Sequence, residues 1–313
     1  MMKRIPYIIT VLLFSLLLFS LIACKKELVP VAIENNAAGK INYYSTSEVL
    51  KQFSDQLFGI GIFTDTVAND LRPINSVTVD NTPYLTYIPR KSTLIEYPVV
   101  IGQVTPSYLS YSIGKHRLNF TLMKSNSQGI VKLPDITYAQ SEVNLSFDNK
   151  VLVYLIDAPP QELDKPKFNV IIMQQPERPK IEIGFVRLRI LNASPDAGEL
   201  SISLVKADGS VIKTELPQHL AYGEFTQEIP LNLLDALSNK LLKLKITDQN
   251  GKLLLYSGIP AIQQHGYTLI IKGFYTTHKL NVPSRLEKDA TGTIIYAPVD
   301  LPISLAADIR QTY

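Results

Sequence analysis

The sequence holds one cysteine, Cys24, and no tryptophan in 313 residues. A lone cysteine excludes an internal disulfide and leaves no cysteine set for a structural zinc. The missing tryptophan weakens any reading of the chain as a sugar-stacking surface. No Lys/Arg cluster marks a nucleic-acid face, and the formal net charge is only +3. There is no glycine-rich phosphate loop and no nucleophile-elbow motif. After the N-terminal segment, no apolar run is long enough to cross a bilayer as a helix.

The N-terminal segment is the most informative stretch. Lys3-Arg4 form a short basic region, Ile5 to Phe19 is almost unbrokenly apolar, and Leu21-Ile22-Ala23-Cys24 closes it. Small residues followed by cysteine resemble the lipobox of bacterial lipoproteins. That resemblance implies diacylglycerol on the Cys24 thiol, cleavage after Ala23 and acylation of the new amino group. Several buried acyl chains hold a protein firmly, at about 0.8 kcal/mol per methylene, where one is marginal. The competing readings are an uncleaved transmembrane helix and an ordinary secretory signal with a chance cysteine. Lys25-Lys26-Glu27 follow, and in lipoproteins the lack of an acid directly after the cysteine implies the outer membrane. The periplasmic or surface face is left open.

Without residues 1–23, 290 residues remain, enough for two domains that each bury a core. Lys3 and Arg4 leave with the signal, so 29 of the 31 basic side chains stand against 28 acidic ones. The expected organisation is a signal peptide at 1–23, a lipidated N-terminus and tether at 24–39, and β domains at 40–178 and 179–313. Gln174-Gln-Pro-Glu-Arg-Pro179 marks the junction, because its prolines interrupt sheet pairing.

The fold class expected is mainly β: two antiparallel immunoglobulin-like β-sandwich domains in tandem after a lipoprotein signal peptide. Leu242, Leu244 and Ile246 alternate with Lys243, Lys245 and Thr247, the period of a half-buried strand. Val186 to Ile190 alternates likewise, placing Arg187 and Arg189 on one face. Asp208-Gly209 and Asn250-Gly251 read as hairpin turns. Helix is expected only at 47–58, where Val49, Leu50, Phe53 and Leu57 share a face, and as a turn or two at 233–237.

A weak internal repeat supports the tandem reading. Val104–Ile113 parallels Leu220–Ile229, Arg117–Leu122 parallels Leu242–Ile246, and Val151–Ile156 parallels Tyr267–Ile271. In the second half, Val186 to Leu191 runs into Asn192-Ala-Ser-Pro-Asp196-Ala197, with Ala221-Tyr222-Gly223-Glu224-Phe225 downstream. Those residues resemble domain-of-unknown-function family 4397 over about 184–275. The resemblance implies a compact immunoglobulin-like β domain, common in exported bacterial proteins and often in tandem, with no assigned activity. In the first half Asn42-Tyr-Tyr-Ser-Thr-Ser47 stands in place of the hallmark.

Several residues are of types that carry chemistry. Asn192 and Asp196 could offer oxygens to calcium and Ser194 could be a nucleophile. A strand exit capped by Asn and Asp explains the motif with less, since calcium takes 6–8 oxygens. His116, His219, His265 and His278 have no metal-ligand spacing, and His116 and His265 are expected in exposed turns. Glu224 with Glu228, or Asp157 with Glu162, would need a cleft to act as an acid/base pair. No catalytic, metal or cofactor residue is nominated, and no cofactor is expected. The one site residue is Cys24, for lipidation. Tyr43, Tyr44, Tyr84, Tyr87, Tyr97, Tyr108, Tyr111 and Tyr138 are expected mainly in strands and core, with stacking on a glycan or a protein partner as the alternative. Asp65-Thr66-Val67 is similar to an O-glycosylation sequon of exported Bacteroidota proteins.

The functional expectation is a non-enzymatic envelope lipoprotein acting as an interaction or structural module. The alternative is a carbohydrate-binding or carbohydrate-processing accessory lipoprotein. The partners expected are the membrane, through the lipid on Cys24, and an envelope protein or glycan, with no nucleic acid.

Overall fold

The computed structural model describes residues 38–50, 58–65, 76–79, 82–85, 108–126, 129–175, 183–288 and 294–312. Residues 37–313 form one compact unit. In chain order its strands are β1 (Ala38–Ser45), β2 (Phe58–Thr64), β3 (Ser76–Val79), β4 (Thr82–Leu85), β5 (Leu109–Ser112), β6 (Gly114–Asn126), β7 (Gly129–Leu145), β8 (Lys150–Asp157) and β9 (Phe168–Gln174). There follow β10 (Phe185–Ala193), β11 (Leu200–Val205), β12 (Val211–Ile212), β13 (Ile229–Asn232), β14 (Leu241–Asp248), β15 (Leu253–Pro260), β16 (Gly266–Lys272), β17 (His278–Lys288), β18 (Ile294–Leu301) and β19 (Ala306–Gln311). The protein is mainly β, as the alternating patterns predict.

One pairing scheme occurs twice. A four-stranded sheet in the order β5-β1-β8-β9 recurs as β13-β10-β16-β19. In each, the two central strands are parallel and both outer pairs are antiparallel. The parallel pairs depart from the wholly antiparallel expectation. Parallel neighbours need a long crossover, and the chain supplies it by passing through the facing sheet before returning. Those facing sheets are β2-β6-β7 and β12-β11-β14-β15.

Alternation along the strands assigns each face to a core. Val151, Val153 and Leu155 of β8 join Ile41, Tyr43, Leu118 and Phe120 in the first sandwich core. Leu188, Ile190, Leu269 and Ile271 join Ile202, Leu204, Leu244 and Ile246 in the second. The opposite faces of β8, β10 and β16 meet in a third apolar cluster containing Tyr44, Leu152, Tyr154, Ile156, Leu191, Ala193 and Ile270. Because both faces of each central sheet are buried, β8 and β16 read as continuous apolar runs rather than alternations. The β17–β18 hairpin, from the second half, places Leu280, Val282 and Leu301 in the first sandwich core. The Leu163 amide donates to the Lys279 carbonyl at 2.7 Å and the Asn281 amide to the Asp164 carbonyl at 3.0 Å, fixing the hairpin in place.

Register corrects one part of the expected repeat. Ile41 pairs with Val151 and Leu109, while Leu188 pairs with Tyr267 and Ile229. Val151 therefore corresponds to Tyr267, as the sequence suggests, but Leu109 and not Ile113 corresponds to Ile229. Both hairpin turns form at the predicted glycines, with φ of 85° at Gly209 and 77° at Gly251. Helical backbone begins at Val49 and Leu50, and the rest of the predicted 47–58 helix lies outside the described residues. The turn predicted at 233–237 is a 3₁₀ turn over Leu233–Asp235. The predicted junction is described only as far as residue 175.

Candidate functional site

The motif Asn192-Ala-Ser-Pro-Asp196 lies where β10 leaves its sheet, and every polar side chain in it is engaged with backbone. Asn192, fully buried, donates to the Gly198 and Leu220 carbonyls at 3.1 and 3.0 Å and accepts from the Ser194 amide. Buried Ser194 donates to the Gly273 carbonyl at 2.7 Å, closing the exit of β10 onto the end of its parallel neighbour. Asp196 accepts from the Tyr275 and Thr276 amides at 2.7 and 2.9 Å, and His278 Nε2 lies 2.8 Å away. Burial works to raise the Asp196 carboxyl, and those donors overcome it to hold the group below the ordinary carboxylate value.

The first half repeats this closure with different residues. The register equates Ser45, Thr46 and Ser47 with Asn192, Ala193 and Ser194. The Ser47 amide donates to Ser45 Oγ at 3.3 Å, as the Ser194 amide does to Asn192 Oδ1 at 3.2 Å. Ser47 Oγ donates to the Asp157 carboxylate at the end of β8, in the place of the Gly273 carbonyl. Asp157 also accepts from the Glu48 amide at 2.7 Å. Burial pushes the Asp157 carboxyl up to about 7, against the hydrogen bonds from Ser47 and the Glu48 amide. The sequence offered this carboxyl only as one half of a pair with Glu162 and gave no sign of its raised value, because its environment comes from elements distant in the chain.

The joint between the sandwiches is polar as well as apolar. Arg187 and Arg189 do share one face, and that face is turned toward the first sandwich. Buried Arg189 donates to the Gln174 carbonyl at 2.8 Å. Buried Arg310 lies over the ring of Tyr44, 5.0 Å from its centroid, and Tyr44 stacks on Tyr154. Buried Lys272 meets Asp308 at 2.8 Å and Glu48, from the first half, at 3.7 Å.

The remaining candidates separate. His116 is a strand residue and buried, contrary to the exposed turn expected. Its ring nitrogens lie 2.5 Å from Asp65 Oδ2 and 2.7 Å from the Ser112 carbonyl. The cross-strand pairing brings β6 beside the end of β2, so Asp65 covers the ring. His219 is exposed beside Glu199, and His265 contacts the Gln263 carbonyl. Glu224 accepts from the Ala221 amide within its own turn, and Glu162 from the Lys279 amide. Asp157 is buried and Glu162 is exposed. Among the described residues no group of three or more His, Cys, Asp or Glu side chains could hold a metal.

Tyr43, Tyr44 and Tyr111 are buried, and Tyr108 and Tyr138 half-buried, which places these described tyrosines in core and strand roles. The Tyr138 hydroxyl, its ionisation strongly opposed by burial, bonds Tyr296 of β18 at 3.2 Å. The side chains of Tyr84, Tyr87 and Tyr97, together with Cys24, Thr66 and Val67, lie outside the described residues. One shallow groove of about 490 Å³ is lined by Lys206, Ile212, Leu234, Leu237 and their neighbours.

These observations define a tandem β-sandwich protein with its polar residues tied into strand exits and a joint. No family model matches the chain, and no curated protein matches it. A solved structure of a Bacteroides fragilis protein proposed to act in cell adhesion is similar over 85% of this chain and 98% of its own, at 11% identity. Its TM-score of 0.16 carries no argument about function.

Proposed function

We propose that the protein is a non-enzymatic envelope lipoprotein, anchored at the outer membrane through lipid on Cys24, whose sandwiches act together as an interaction or structural module. The observation that carries this reading is the use of polar groups. Ser47, which accepts from the Leu50 amide, and Asp157, Asn192, Ser194 and Asp196 all satisfy backbone at strand exits, where a catalytic group would face a cleft. The lipobox supplies the location, and the buried joint holds the two sandwiches together to present a surface.

The test is crosslinking on intact cells with a membrane-impermeant reagent, followed by mass spectrometry. The reading expects crosslinks to defined envelope proteins and loss of membrane association in Cys24→Ser. It is overturned by turnover of a defined substrate that Ser194→Ala or Asp157→Asn abolishes in a chain that still folds. Retention of Cys24→Ser in the membrane fraction would remove the anchor.

A further inference from the structure

Strand starts and ends at one pole of the molecule are linked by hydrogen bonds. The Gln175 amide donates to the Lys150 carbonyl at 2.7 Å, and its side chain to the Thr312 carbonyl at 3.0 Å. The Thr312 amide donates to the Gly266 carbonyl at 2.7 Å. The starts of β8 and β16 therefore lie at the same pole, and their parallel partners β1 and β10 start there too.

That pole gathers exposed apolar side chains. Ile113 follows Ser112, which pairs with Ala38, and Phe147 lies in the turn before Lys150. Ile183 precedes Gly184, whose carbonyl accepts from the Leu233 amide beside Leu234. Ile262 lies in the loop whose Gln264 amide reaches the Phe185 carbonyl. Val211 adjoins Ile212 in the groove that Leu234 lines. Six of the ten large apolar residues exposed among the described residues are here, Leu234 being 90% and Phe147 66% exposed. Such clustering marks an interaction surface, where single scattered residues would not.

What faces it follows from the short run of chain between Cys24 and β1. β1 starts at this pole, fourteen residues after Cys24, a length that spans at most about 50 Å when fully extended. Exposed Lys150, Lys206 and Lys240 flank the apolar tips. Of the acids at the same pole, Asp148 is 3.5 Å from Lys40, Asp208 is turned onto Ser210, and Asp235 lies beside Leu234 in the groove that Lys206 also lines. Apolar tips flanked by lysines suit a bilayer interface, where side chains enter the acyl boundary and ammonium groups meet lipid phosphates.

We infer that this pole is a membrane-facing surface, with Phe147, Ile113 and Leu234 entering the interface and the flanking lysines on phosphate headgroups. The inference rests on the lipid anchor of the proposed function. It assigns the opposite pole, with the Asn192–Asp196 exit, to outward presentation.

The lipidated full chain, reconstituted in phosphatidylethanolamine–phosphatidylglycerol vesicles, tests this. Because lipidation consumes the Cys24 thiol, Phe147→Cys, Leu234→Cys and Leu253→Cys each provide one site for a polarity-sensitive dye. All three positions are exposed, so the core stays intact, and Leu253 lies at the opposite pole. The expected result is blue-shifted emission and several-fold quenching by nitroxide lipid at 147 and 234, with neither at 253. Emission at 147 and 234 as water-like as at 253, in vesicles that carry the protein, overturns the surface and leaves the anchor standing. A blue shift before vesicles are added, in a species of doubled mass, assigns the pole to a second copy and also overturns it. Flotation reads the anchor separately: protein that stays below the vesicles removes the lipid anchor, and the surface with it.

Discussion

The hydroxyl of Tyr222, in the second half, donates to the backbone carbonyl of Asp157, at the end of β8 in the first, at 2.6 Å. Asn169 of β9 donates to the same hydroxyl at 3.1 Å. Tyr222 belongs to the Tyr-Gly element that the sequence analysis placed within the second domain. In the fold it bridges the two sandwiches, and Gly223, at φ 81°, turns the chain back so that its amide reaches the Asn192 carbonyl.

Tyr222→Phe therefore leaves the Asp157 carbonyl and the Asn169 amide without their partner. The expected cost is about 1–3 kcal/mol, or a fall in Tm of roughly 2–4 °C per kcal/mol by the scaling for domains of about 150–250 residues. Differential scanning calorimetry checks it. An unchanged Tm would show that the bridge carries no stability.

Asp157 gives the fold a pH dependence of definite sign. Its folded value, about 7, lies above the ordinary carboxylate value of 3.8, so the folded chain keeps a proton that the unfolded chain releases. That contribution is complete below pH 3.8 and is lost as pH rises toward 7. Wild type should lose stability relative to Asp157→Asn between about pH 4 and 7. Urea melts of both chains across that range check this, and parallel curves would refute it.

His116 acts in a higher window. Burial disfavours its charged ring, but the Asp65 carboxylate and the Ser112 carbonyl overcome this and raise it above 6.5. Its contribution is present below 6.5 and is lost as pH rises through the raised folded value. Burial likewise works to raise Asp65, and His116 with the Arg117 amide holds it below 3.8 instead. Its contribution is present above 3.8 and is lost as pH falls through the lowered value. An NMR titration should place the His116 ring above 6.5, and Asp65→Asn should bring it down. A ring that titrates at or below 6.5 in wild type would contradict the pairing.

Gly273 follows the last residue of β16 at φ 82°, and a Cβ there would overlap the Ser304 carbonyl oxygen. Gly273→Ala should destabilise by more than about 1 kcal/mol, since strain and backbone overlap act together. Gly251→Ala, with similar φ but open space around the Cβ position, should cost less. Equal losses in denaturant melts would mean that φ alone sets the penalty.

Much of the fold was legible in the sequence because it is local. Alternation at Leu242–Thr247 and the Asp208-Gly209 and Asn250-Gly251 turns depend on side-chain period and on backbone conformations glycine reaches freely. The strand exit at Asn192–Asp196 was legible as a turn for the same reason. His116 was misplaced because burial depends on a partner 51 residues away, Asp65, that only strand pairing brings to it. The register of β5 against β13 was missed by four residues because pairing partners, not spacing, set it.

Period, turn chemistry and apolar length are written residue by residue, and they specify a β-rich, twice-built chain whose N-terminal motif resembles a lipid anchor. Long-range pairing in the folded chain set the parallel central pairs and the core toward which the Arg187–Arg189 face turns. It also decided the loan of β17–β18 to the first core and the poise of Asp157 near neutrality. Each of these depends on which distant residues share a low-dielectric space, and neither period nor composition encodes that.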